Sequence, residues 1–75
     1  MSKIIIVKNL FAQNLKILRT GENLKQAELA KFLQTTQRKI SYWESGKIEP
    51  DLDMLWAIAN YFDISVDELI GKKDY

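Results

Sequence analysis

Between Thr36 and Lys47 the chain carries Gln37, Arg38, Ser41, Tyr42 and Ser45, interleaved with Ile40, Trp43 and Glu44. At about 100° per residue, a helix over 37–45 puts Ile40, Trp43 and Glu44 on one side and the five polar residues on the other. That polar side holds no aliphatic and no acidic residue. A glutamine can bond N6 and N7 of adenine together, and an arginine O6 and N7 of guanine. Serine and tyrosine hydroxyls can reach bases or phosphates. The same face would serve equally as the solvated side of an amphipathic helix, and residue types alone do not separate the two.

Other chemistry is excluded more firmly. The 75 residues contain no His and no Cys, which removes the commonest general base and metal ligand, and with them thiolate sites and disulfides. Asp51/Asp53 and Asp67/Glu68 stand at predicted helix starts, where the macrodipole favours them, so they read as caps rather than metal ligands or a catalytic pair. A domain this small buries only roughly 60% of its unfolded surface and has little room for a substrate cavity. With 47% hydrophobic and 28% charged residues the chain is globular rather than disordered. We therefore expect no enzyme, no cofactor, no metal and no small-molecule ligand. A binding module remains.

Charge is distributed unevenly. Residues 1–47 hold nine Lys and Arg against three Glu, net +6, whereas residues 48–75 hold two Lys against seven acids, net −5. One face could meet a polyanion while the other stays solvated or meets a protein, although chance segregation would give the same pattern. Ile4 to Val7, bracketed by Lys3 and Lys8, is too short for a secretory core of about 7 residues or more, or for a spanning helix of ~20. No membrane association and a cytoplasmic location are the expectations. Four β-branched residues in a row favour an extended arm over residues 1–8, free to pair with another chain, pack on the domain or fray.

The remaining elements read as short capped helices. Phe11, Leu15 and Leu18 share one stripe, with Asn9 as the expected N-cap and Thr20-Gly21 as the stop. A second helix runs from about Gln26 to Leu33, with Ala27, Leu29, Ala30 and Leu33 inward. Thr36 caps a third from Gln37 to Ser45, which Gly46 ends in the left-handed conformation. Asp51 caps a fourth, carrying Leu52, Leu55, Trp56, Ile58, Ala59 and Phe62. Ser65 and Glu68 form a capping box for a fifth, which Gly71 ends. Residues 9–71 form one all-α domain of five helices, followed by a polar tail over 72–75.

Two helices of about eight residues joined by a short turn, 26–33 and 37–45, make a helix-turn-helix. In sequence the relevant carriers are Gln26, Leu29-Ala30, Ile40-Ser41, Glu44-x-Gly46, Pro50 and Leu55 to Phe62. On these the chain from Phe11 to about Gly71 resembles the lambda-repressor-like domain of the Cro and phage-repressor (XRE) type. The resemblance implies a compact five-helix bundle and a small transcriptional regulator, a repressor in the first instance, that binds a double-stranded DNA operator as a homodimer. It implies base-facing roles for Thr36, Gln37, Arg38, Ser41 and Tyr42. Lys25, Gln26, Ser45 and Lys47 match backbone-contacting positions, and Gln26 would also brace the first polar residue of the reading helix. Arg19 matches an arginine that reaches the glutamate at Glu44, a salt bridge fixing the angle between helices. An interaction module or antitoxin-type adaptor on the same scaffold is the alternative, although it would more naturally expose an apolar patch at Gln37, Arg38 and Tyr42.

Two positions depart from the family pattern. Gln34 stands where a turn glycine is frequent, so it must take a positive φ or the turn is built differently. Lys25 stands where Ser or Thr often caps the second helix, a loss of about 1 kcal/mol. Trp43 and Trp56 both lie on apolar stripes and read as core residues. For the dimer, Met54, Ile64, Val66 and Ile70 on the acidic half, or the N-terminal arm, are the candidate contacts.

Overall fold

Three polar side chains set the starts of three helices. Thr36 Oγ1 accepts the Lys39 amide at 3.2 Å, Asp51 Oδ1 that of Met54 at 2.9 Å, and Ser65 Oγ that of Glu68 at 3.0 Å. Each satisfies a donor that the first helical turn leaves without a partner. Glu68 returns the bond to the Ser65 amide at 3.0 Å, completing the capping box. The computed structural model describes residues 3–71, with side chains from Leu10 onward. Its helices are α1 (Lys3–Gly21), α2 (Gln26–Phe32), α3 (Gln37–Ser45), α4 (Leu52–Tyr61) and α5 (Val66–Leu69). None of them is long and apolar enough to cross a membrane.

The helices also end alike. After α1, α2, α3 and α4, a residue with φ between 57° and 77° turns the chain: Asn23, Gln34, Gly46 and Asp63. In each case the amide that follows bonds back across the turn: Leu24 to Arg19 O, Thr35 to Ala30 O, Lys47 to Tyr42 O and Ile64 to Ala59 O. This is the Schellman arrangement, and it occupies carbonyls that the helix end would otherwise leave bare. Gly71 repeats the left-handed turn after α5 at φ 86°. A Cβ there would lie 2.9 Å from Leu10 Cβ, so glycine also allows the last turn to close on α1.

Gln34 therefore does adopt the positive φ, at 57°. A left-handed L-residue costs about 1–2 kcal/mol, and glycine's greater unfolded freedom takes back roughly 0.5–1. Gln34→Gly should gain about 0.5 kcal/mol, raising Tm by about 2–4 °C in thermal melts. An unchanged or lower Tm would show that the glutamine is unstrained.

α3 packs on both α1 and α2, while α5 packs on α1 and α4. Phe11, Leu15, Leu29, Ala30, Ile40, Trp43, Ile58, Ala59 and Leu69 form one buried cluster. Asn14 on α1 donates to the Leu69 carbonyl at 3.0 Å, capping the short α5 from across the core. Ile40 at the centre of α3 is fully buried, so the middle of that helix is fixed from behind.

Several expectations need correcting. Residues 3–8 extend α1 rather than forming an extended arm, and Asn9 lies inside the helix, not at its cap. Each β-branched residue costs a helix only a few tenths of a kcal/mol, and adding a turn to an existing helix avoids the nucleation penalty. Residues 1–2 and the tail 72–75 lie outside the described residues. Ala27 is exposed rather than inward. On α4, Leu55, Ile58, Ala59 and Phe62 face the core, leaving Leu52 81% and Trp56 65% exposed. Outside the polar strip of Asp53 and Asn60, the apolar arc of α4 is wider than the side it can bury, so Trp56 is no core residue. Met54, Ile64 and Val66, candidate partner contacts, are half-buried and pack against the core.

Candidate nucleic-acid interface

α3 is held at its C-terminal end by a buried polar network. Glu44 has a side chain only 4% exposed, and its Oε2 lies 2.6 Å from Arg19 Nε. Arg19 Nη2 donates to Glu44 Oε1 at 3.0 Å and Nη1 to the Leu24 carbonyl at 2.7 Å. The Gln26 amide donates to the same Glu44 Oε1 at 3.1 Å. One carboxylate thus ties the ends of α1 and α3 to the start of α2, and the planar guanidinium meets it through two parallel bonds. Hydrogen bonding to Glu44, aided by its charge and opposed by burial, raises the Arg19 pKa above arginine's ordinary range. A raised pKa adds stability that is lost only as pH climbs through that alkaline range, so this group does not make folding vary near neutrality.

With Ile40 and Trp43 buried behind it, α3 turns its polar side outward. Gln37, Arg38 and Ser45 are exposed, and Ser41 and Tyr42 are half-buried. Thr36 is exposed at the entry to the helix, its hydroxyl engaged as the cap. Arg38, Tyr42 and Ser45 lie opposite the buried stripe at about 100° per residue, with Gln37 and Ser41 along one flank. Among the described residues neither the Gln37 nor the Arg38 side chain forms a hydrogen bond within the protein. Both are free to engage a ligand.

The flanking residues fall around the two ends of this surface. Lys25 precedes α2 and is exposed. Its amide donates to Glu28 Oε1 at 2.8 Å, the reciprocal half of a capping box, while the Lys25 side chain makes no cap bond to the first turn. Gln26 is half-buried, and its amide bonds Glu44 rather than Gln37. It therefore braces the far end of α3, not its first residue. Glu44 takes one of the two amide hydrogens, which leaves the other. The Ser45 hydroxyl donates to the Tyr42 carbonyl at 3.1 Å. Lys47, beyond Gly46, is exposed, and its Nζ lies 4.6 Å from the centre of the Tyr42 ring.

Sequence spacing alone gives no sign of the Gln26–Glu44 bond or of the Lys47–Tyr42 contact. Each depends on how a turn folds back. The apolar pair Leu52 and Trp56, at i and i+4 on the outer side of α4, was likewise hidden, because the apolar arc of α4 is wider than the side that packs inward.

Known proteins resemble this chain in sequence and fold. Residues 15–69 match the family described as helix-turn-helix. The chain is 41% identical over 64 residues to the HTH-type transcriptional activator BcrR of Enterococcus faecalis, a match covering 85% of this chain and 31% of that one. It is 33% identical over 60 residues to the HTH-type transcriptional regulator MJ0272 of Methanocaldococcus jannaschii, covering 80% and 91% of the two. The solved structure of the P22 c2 repressor in complex with a synthetic operator superposes with a TM-score of 0.79 at 26% identity, covering 85% and 97%. The chain thus spans about a third of the activator's length and nearly all of the archaeal regulator's.

Proposed function

Since this chain belongs to the helix-turn-helix family, whose matched relatives are named as transcriptional regulators, we propose that it is a cytoplasmic regulator reading double-stranded DNA. The observation that carries the reading is the outward side of α3. It is polar, free of acids and, among the described residues, of internal hydrogen bonds at Gln37 and Arg38, and it is anchored from behind by Ile40, Trp43 and Glu44. In this reading α3 enters the major groove, and Thr36, Gln37, Arg38 and Ser41 face bases. Lys25, Gln26, Ser45 and Lys47 contact phosphates on either side, Gln26 through its remaining amide hydrogen. The P22 c2 repressor, solved on a synthetic operator, supports the ligand class. A domain of this size, seated on an operator that overlaps a promoter, represses by exclusion and has no catalytic part.

One such unit reads about four to six base pairs, so a two-fold pair with reading helices ~34 Å apart would double the sequence recognised. The exposed Leu52 and Trp56 on α4 support a homodimer contact there. Trp56→Lys should then shift sedimentation equilibrium toward monomer. It should weaken binding to a two-half-site duplex tenfold or more, as expected for loss of a central tryptophan anchor worth about 2 kcal/mol, and leave single half-site binding unaltered. Unchanged self-association would move the contact elsewhere.

The function itself is tested by selecting ligands from a pool of random duplexes. One enriched sequence, arranged as half-sites about 10 base pairs apart, is the expected result. A protein that retained the pool without enrichment, or retained none of it, would be an interaction module instead.

A further inference from the structure

We propose that Tyr42 is a positioning residue, holding Lys47 ready for a phosphate, rather than a reader of bases. The inference rests on the DNA-binding reading above and departs from the role expected of Tyr42 within it. Both ends of Lys47 rest on this one tyrosine. The Lys47 amide donates to the Tyr42 carbonyl at 2.9 Å, and the Lys47 ammonium lies 4.6 Å from the Tyr42 ring centre. The same carbonyl accepts the Ser45 hydroxyl at 3.1 Å and, at 3.4 Å, the Ile48 amide. Gly46, at φ 77°, is what folds the chain back far enough for residue 47 to reach residue 42.

The physical consequence concerns order. A lysine on an unrestrained four-carbon stem loses rotamer freedom when it settles on a phosphate. Here the ring attracts the cation through its negative face, and Tyr42 is itself half-buried and set in a helix. Much of the stem's freedom is therefore already gone in the free protein. An ammonium seated on a ring keeps N–H donors directed away from it, and these remain for a phosphate oxygen. One face of the ring is occupied by the lysine, and the contribution assigned to Tyr42 through it is affinity common to all duplexes. The role requires the ring and not the hydroxyl.

The test compares wild type, Tyr42→Phe, Tyr42→Leu, Lys47→Ala and the Leu/Ala double variant on a selected duplex and a scrambled one, across a salt series. Tyr42→Phe should match wild type on both. Tyr42→Leu should weaken both alike by about two- to fivefold, the range of an exposed cation–π contact. Lys47→Ala should lower the salt slope by about one ion, and adding Tyr42→Leu to it should change nothing further. In the free protein, the Lys47 ε-methylene protons should be shifted upfield by the ring in wild type and Tyr42→Phe, and released in Tyr42→Leu. Lost preference for the selected duplex in Tyr42→Phe would make the hydroxyl a base reader and overturn the inference. Strictly additive effects of the Leu and Ala changes would overturn it too, while leaving the regulator reading intact. Wild-type protein that bound neither duplex would remove both.

Discussion

Arg19→Met should destabilise the domain by about 3–5 kcal/mol, the cost of stranding one partner of a buried ion pair. At roughly 0.05–0.15 kcal/mol per residue, a chain of this length has only about 4–11 kcal/mol in total, so the variant should be substantially unfolded in mild urea. The cause is Glu44 more than Arg19. Its carboxylate is almost wholly buried, and without the guanidinium the Gln26 amide would be the one side-chain donor left to it among the described residues, a hydrogen bond without a compensating charge. Pairing Arg19→Met with Glu44→Leu should recover much of the loss, because a matched apolar pair carries no stranded charge. Urea denaturation of the two variants against wild type measures both effects. A single-variant cost below about 1 kcal/mol, the size of an exposed pair, would mean that the apolar contacts of Ile40 and Trp43 alone set the angle of α3.

Gln37→Ala and Arg38→Ala should act in the opposite manner, sparing the fold and changing recognition. Both side chains are exposed and neither forms a hydrogen bond among the described residues, so stability should stay within about 0.5 kcal/mol of wild type. Each should lose about 1–3 kcal/mol of discrimination at one base pair, a different one for each residue, through loss of a bidentate contact. Two variants that weaken all duplexes equally would place both residues on phosphates instead of bases.

How much of this was legible in sequence follows the range of the interaction concerned. The caps at Thr36, Asp51 and Ser65 are bonds to an amide three residues on, so the residue type and its neighbours suffice. The same holds for Gly46. Gln34 was half legible: the sequence posed the conflict between residue type and turn, and only the backbone angle resolved it. The start of α1 was misread because the β-branched run Ile4 to Val7 states a local preference, whereas helix extension from an established turn outweighs it. The exposure of Trp56 was not legible because the apolar arc of α4 is wider than its buried side, and which part faces inward is decided by α5 and the core. The outward side of α3 was visible from its periodicity. Its two supports, the second bond on Glu44 and the ring beneath Lys47, join residues brought close only by the turns.

Selection from random duplexes, run in parallel with wild type and Arg38→Ala, bears most directly on the reading of α3. One sequence enriched by wild type, with preference lost at a single position of each half-site in the variant, is the predicted result. Identical enriched sequences from the two proteins would contradict it.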